Sequence, residues 1–339
     1  MGYTMATIRV LAERGCEVHV VHWDDKKLTP YKAPRLPNVS MYNRSELSVE
    51  QMKHLVRSIS PALTVVSGWM DKGYMSIARM LRTEGRQVVV GFDDQWHGTF
   101  RQHLASVLCR FGYLSQFYSH AWVAGMDQFE YARRLGFDKV NIVYDLYCAD
   151  LNIFNMAYEQ SIYNKKNSYP HRFLFVGRFE EIKGLDVLLQ AWRLLGEKVS
   201  DWELHLVGNG SLKSQLEVTT GVVIKDFMQP DELIKEVAGA GCFLLPSRGE
   251  PWGVVVHEFA AAGLPLVVSD TVAAASVFLI SGFNGYTFKV NDPKNLASKM
   301  LKIISMTDDE LNAMAVSSHA LSQRITPATS AANLLALVK

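Results

Sequence analysis

Short β-rich runs alternate with longer stretches of helical periodicity along this 339-residue chain. That alternation restricts the fold to α/β architectures in which parallel sheets are covered on both faces by helices. The strand candidates of the first half are Val18–Trp23, Val39–Tyr42, Leu63–Ser67, Gln87–Gly91, Ala121–Ala124 and Val140–Tyr144. Those of the second half are Phe173–Val176, Glu203–Val207, Val222–Ile224, Cys242–Leu245, Leu266–Val268 and Tyr286–Phe288. Helical periodicity follows most of them, as in Leu185–Leu195 and Asp231–Ala238. A chain of this length suits two domains rather than one core. The polar stretch Asn164–Arg172 is the expected linker, which predicts doubly wound, Rossmann-like domains over residues 1–165 and 170–325 and a terminal helix over 326–339.

Composition narrows the partners. The net charge is +1, so the chain is not a nucleic-acid binder by charge. Cys16, Cys109, Cys148 and Cys242 are scattered without C-x-x-C spacing, which argues against zinc and for a reducing compartment. No apolar run approaches the ~20 residues of a membrane span. No cleavable signal is visible, and a cytoplasmic protein is expected.

In doubly wound sheets, ligands bind where strand ends lead into helices. Three loops of the second half are of this kind: Gly177–Gly184 (GRFEEIKG), Gly208–Leu212 (GNGSL) and Ser247–Gly253 (SRGEPWG). Arg178 and Lys183 flank a helix entry, where dipole, free N–H groups and side-chain charge all favour a diphosphate. Such a pair also occurs as plain solvated surface, and the spacing alone leaves both readings open. Gly253 permits close backbone approach ahead of Val254–Val256, which are poor helix formers. That helix start is expected to be held by packing or by a ligand. Glu250 and Glu258 stand eight positions apart. The carboxyls of a retaining glycosidase sit roughly 5 Å apart. Glu258 lies roughly 7–8 Å along the helix from Gly253 alone. The two therefore fit a grip on two parts of one long ligand, or a capped helix with an exposed Glu.

VGRFEEIKGLDVLLQAW, LHLVGNG, PSRGEPWGVVVHEFAAAGLPLVVSD and GFNGYTF, in that order between Phe173 and Met300, resemble the nucleotide-sugar-binding half of retaining GT-B glycosyltransferases of the "glycosyl transferases group 1" type. The Glu250-x7-Glu258 spacing matches that family's motif. The first half resembles it more loosely, through LAERGCEVHVVHW and DLYCADLNIF. The resemblance implies a nucleotide-diphosphate sugar as donor substrate, no cofactor and no metal. Arg178 and Lys183 would neutralise the diphosphate. Glu258 would take the ribose hydroxyls. Glu250 would hold the donor sugar, with N–H groups around Trp252, Gly253 and Val254 assisting. Gly177 and Gly208 would bring the nucleotide close to the backbone. The acceptor would be a glycan or a lipid-linked glycan, with residues 1–165 on the acceptor side and the last helix crossing back to them. A non-catalytic GT-B subunit is the alternative, and a sugar-nucleotide epimerase is disfavoured by the Glu-x7-Glu spacing.

The chain departs from the family in three places. Where relatives often carry a His-Asp pair, Phe92 and Asp93 occur, with Asp94 and His97 nearby. One of these polar groups, with Asp93 as the candidate, is expected to orient or deprotonate the acceptor; the alternative reading makes them loop-capping residues. After Asp270 the chain reads TVAAAS, where many relatives carry a Gly pair and an acidic residue. The opening residues Thr4–Arg14 read as a first helix and Val18–Trp23 as the second strand, so the usual first strand is absent. The expectation is either that the natural chain begins upstream of Met1, or that the strands flanking that place close on each other. Phe100–Phe117 is expected to be an amphipathic helix. It either packs on the core with a basic solvent face or lies peripherally on the cytoplasmic face of a membrane.

Overall fold

The structure is a computed structural model that describes residues 2–23, 34–199, 201–217 and 221–338. The chain divides into two compact units.

One unit comprises residues 4–23, 34–148 and 327–338. It holds α1 (Gly2–Glu13, from Thr4 on), β1 (Val18–His22), β2 (Val39–Asn43), α2 (Val49–Ile59), β3 (Thr64–Ser67), α3 (Lys72–Thr83), β4 (Val88–Phe92), α4 (Phe100–Arg110), β5 (His120–Val123), α5 (Met126–Arg134) and β6 (Ile142–Val143). All ladders are parallel, in the orders β1-β2 and β3-β4-β5-β6. Strand β4 shows why the sheet needs two covers. Val88, Val90 and Phe92 enter one core cluster with Ile77, Leu81 and Tyr131, while Val89 enters another with Trp122. Alternate residues of a strand face opposite sides, so a strand apolar at every position must be covered twice. Among the described residues β1 and β3 do not pair, so the flanking strands do not close on each other as one alternative supposed. Tyr74, in α3, instead donates its hydroxyl to the Val21 carbonyl of β1 at 3.2 Å.

The other unit is described over residues 149–199, 201–217 and 221–326. It contains α6 (Leu151–Asn167), β7 (Arg172–Val176), α7 (Leu185–Leu195), β8 (Glu203–Val207), α8 (Lys213–Glu217), β9 (Val222–Lys225), α9 (Pro230–Ala238), β10 (Cys242–Leu245), α10 (Val254–Ala261), β11 (Leu266–Ser269), α11 (Ala275–Phe278), β12 (Gly285–Phe288), α12 (Pro293–Ile304) and α13 (Asp308–Ser322). Its parallel sheet runs β12-β11-β10-β7-β8-β9. The order reverses between β7 and β10, which is the topological switch point of a doubly wound sheet.

Two boundaries differ from expectation. The division falls at 148/149 rather than in 164–172. The supposed linker is the end of α6 followed by a packed turn. Lys165 and Tyr169 are buried, and the Tyr169 hydroxyl donates to the Gly241 carbonyl at 2.9 Å. The Tyr169 N–H is taken by Asp308 at 3.1 Å, and the Asn312 amide donates to the Lys165 carbonyl at 2.9 Å. Polar composition misled because these groups meet partners far along the chain. The terminal helix α14 (Pro327–Leu335) packs with residues of the first half. Leu334 joins Val89 and Trp122, Ser330 donates to the Asp145 carbonyl at 2.7 Å, and Asn333 donates to the Tyr144 carbonyl at 3.0 Å.

Candidate functional site

The three loops singled out in the sequence leave the carboxyl ends of β7, β8 and β10, which are neighbours in the sheet. Glycines let them approach. A Cβ on Gly208 would lie 1.9 Å from the Gly177 carbonyl oxygen, and one on Gly184 would lie 2.1 Å from that of Pro246. The first contact joins the β7 and β8 loops; the second joins the β7 and β10 loops across the switch point. A side chain at either position would collide with backbone.

At the crossing of the β7 and β10 loops, Lys183 Nζ donates to Glu250 Oε2, and both side chains are largely buried. Ser247 Oγ donates to the same carboxylate oxygen at 3.3 Å. Thr271 donates to the Ser247 carbonyl at 2.8 Å, the Ala273 N–H to the Glu250 carbonyl at 3.4 Å and the Ala274 N–H to the Trp252 carbonyl at 2.9 Å. The TVAAAS segment thus shapes the Glu250 loop directly. Gly253 takes the left-handed conformation (φ 93°) as N-cap of α10, with no side-chain cap on the helix. A Cβ there would meet Glu250 Cγ at 2.9 Å, so the glycine makes room for the glutamate folded over the helix start.

Glu258 is half-buried on α10, one residue past His257. Removal from water pushes its carboxyl up to about 7, and the neighbouring Asp150 charge adds to the rise. His257 is fully buried and locks the helix. Its Nδ1 accepts the Ala149 N–H at 3.0 Å, and its Nε2 lies 2.9 Å from the Ser322 carbonyl. The ring is therefore neutral with the proton on Nε2, and burial holds its pKa down at about 4.

The expected residues do not all gather. Lys183, Glu250, Gly253, Gly177 and Gly208 lie in the joined loops, and Val254 opens α10. Arg178 is on the β7 loop but exposed, beside Glu180, whose carboxylate accepts both the hydroxyl (2.7 Å) and the N–H (3.2 Å) of Ser211. Trp252 contributes backbone only, because its indole is buried with Phe278. Asp93 belongs to the other unit, where it is half-buried at the end of β4 and its carbonyl accepts from Gln128 at 3.1 Å.

Sequence reasoning passed over two residues. Arg248 ties three segments together: its N–H donates to the Ile182 carbonyl of the β7 loop at 2.7 Å, and its guanidinium donates to Asp186 in the first turn of α7 at 2.7 Å and to Asn291 after β12 at 2.8 Å. Ser247 is the hydroxyl on Glu250. A cation two residues before the loop glutamate was the available signal for Arg248; nothing local marks Ser247.

A family model described as "Glycosyl transferases group 1" matches residues 170–306. An uncharacterised glycosyltransferase of Methanocaldococcus jannaschii is 30% identical over 163 residues, which cover 45% of this chain and 43% of that protein. A phosphatidyl-myo-inositol mannosyltransferase of Mycobacterium leprae is 34% identical over 137 residues, covering 39% and 36%. The matches thus span less than half the length of these curated relatives. The structure of Anabaena HepE in complex with UDP superposes with a TM-score of 0.68 at 16% identity, over 89% of this chain and 85% of that one. Residues 170–306, which hold the motif loops joined at the switch point, are thus similar to the group 1 glycosyltransferases, and the chain as a whole shares its fold with HepE.

Proposed function

We propose that this chain is a retaining, metal-independent glycosyltransferase of the hexosyltransferase type, moving a sugar from a nucleotide-diphosphate sugar to a glycan or glycolipid acceptor. The observation that carries the reading is the Lys183–Glu250 pair at the switch point of a group 1 domain, beside an α10 start that has no side-chain cap. An uncapped helix start presents free N–H groups to an anion. A diphosphate placed there would meet Lys183 and the exposed Arg178, which neutralise the leaving group as charge develops. These cations take the part a divalent metal would play. Glu250, released from Lys183 by the incoming phosphate, accepts sugar hydroxyls, and Glu258 accepts those of the ribose. No protein nucleophile is assigned; the leaving phosphate assists a same-face displacement. The HepE complex contains UDP, and one relative is named for a phosphatidyl-myo-inositol substrate, which supports the donor and acceptor classes.

Incubation with UDP-, GDP- and ADP-sugars, with and without a chelator, tests this. At least one donor should be consumed at a rate insensitive to chelator, and the product should keep the donor's anomeric configuration by NMR. An inverted product would end the retaining reading, and loss of turnover on chelation would end the metal-independent one. A second reading, a non-catalytic subunit that binds nucleotide sugars, is favoured by the β1-β2 and β3–β6 sheets, which do not pair with each other among the described residues. Nucleotide binding without turnover of any donor would select it.

A further inference from the structure

Helix α4 does not pack its apolar stripe on the core. Phe100 is 83% exposed and Phe111, its C-cap residue, 87%, while Leu104, Val107 and Leu108 between them are each more than half exposed. These positions follow an i, i+4, i+7, i+8, i+11 spacing, so at about 100° per residue they occupy one stripe roughly 100° wide. Cys109, on the opposite side, is the buried residue of the helix. The usual arrangement of a soluble amphipathic helix is thus reversed: the apolar stripe faces away from the protein.

The charge pattern says what covers it. Arg101 borders one edge of the stripe, and His103 and Arg110 border the other, all exposed. Arg134 stands beside them over the ring of Trp96, 4.6 Å from its centroid, and the Trp96 ring is also met edge-on by His103. No Asp or Glu occurs between Asp94 and Asp127. An apolar stripe with cations on both edges and no carboxylate on its own helix matches the boundary between acyl chains and anionic headgroups. No helix among the described residues is long and apolar enough to cross a membrane, so contact of this kind would be peripheral. We propose that α4 docks this unit on an anionic lipid surface, with Phe100, Leu104, Val107, Leu108 and Phe111 entering the acyl boundary and Arg101, Arg110 and Arg134 meeting the headgroups. The surface is independent of the donor loops: α4 contributes no residue to them, and the test reads binding rather than turnover.

The test is flotation of the full chain with vesicles of phosphatidylcholine alone or of phosphatidylcholine with phosphatidylglycerol. The chain should float with the anionic vesicles, bind them less at high salt, and bind the neutral ones weakly. Leu104→Asp/Leu108→Asp should cut binding by roughly tenfold or more, because two apolar side chains lose their burial. Arg101→Gln/Arg110→Gln should remove most of the salt-sensitive part. Val316→Asp, at an exposed apolar position on α13, should change nothing, and unaltered circular dichroism checks each fold. No flotation with anionic vesicles would overturn the proposal, as would flotation unchanged in both double variants. Self-association in lipid-free buffer that Leu104→Asp/Leu108→Asp abolishes would overturn it in favour of a contact between copies of this chain.

Discussion

Glu250 and Glu258 share a motif but occupy different settings. Glu250 is held by Lys183 and Ser247 in a loop, whereas Glu258 stands on a helix beside Asp150 with its carboxyl raised to about 7. If Glu258 grips the ribose, Glu258→Ala should weaken nucleoside diphosphate binding about tenfold or more, the cost of removing one partner of a charge-assisted hydrogen bond. Glu250→Ala should leave that affinity nearly intact and depress turnover. A carboxylate must be ionised to accept two hydroxyls, so nucleotide affinity should rise as pH increases through 7. Binding near pH 7 should also release a proton. Calorimetry in two buffers of different ionisation heat reads both effects. Equal affinity loss in the two variants, or no proton release by the wild type, would refute the division of labour.

At the scale of the element, α10 is an eight-residue helix that begins with three valines. Propensity does not explain it. It is held by the left-handed Gly253 at its start, by His257 hydrogen-bonded on both ring nitrogens, and by Phe259 stacked on Phe243 at 4.2 Å. Gly253→Ala adds a Cβ in a disfavoured conformation and against Glu250, so it should cost roughly 1–2 kcal/mol and lower turnover further by displacing the carboxylate. Gly249→Ala, whose Cβ would meet only Ile182 Cδ1 at 3.5 Å, should be nearly neutral. Urea denaturation and initial rates for the two variants check this. Such elements were legible as strand-then-Gly-then-helix. The reversed face of α4 was not, because periodicity shows that a stripe exists and not which way it points.

For the whole molecule, buried titratable groups set the pH dependence of stability. Lys165 is buried without a hydrogen-bond partner among the described residues, and desolvation lowers its pKa to about 7. Between that value and the unfolded 10.5, the unfolded chain binds the extra proton, so stability rises with pH. His257, also depressed, adds stability that is lost as pH falls from 6.5 towards about 4. Glu258 is raised, so its contribution is present below 4.5 and is lost as pH rises through about 7. The last two windows overlap and oppose each other. Burial raises the Cys109 and Cys242 thiols above 9, which turns the slope back at higher pH. The cleanest range for Lys165 is therefore pH 7 to 9, where it should add roughly 2 kcal/mol. Lys165→Met should flatten that rise and raise the melting temperature at pH 7. A melting temperature lowered by Lys165→Met would show that the ammonium is solvated or paired.

The sequence by itself determined the alternation of strands and helices, the twelve strands to within a few residues, and the three loops that meet at the switch point. Strand period, helix period and glycine placement are local properties, and these features depend on nothing else. Tertiary structure decided whatever depends on a distant partner. The polar stretch 164–172 became packed interior because Gly241, Asp308 and Asn312 come to meet it. Trp252 turned into the core and left only its backbone to the loop, and Ser247 and Arg248 acquired roles from residues as far along the chain as Asn291. Burial and pairing free energies belong to assembled neighbours, and spacing along one chain does not encode which neighbour arrives.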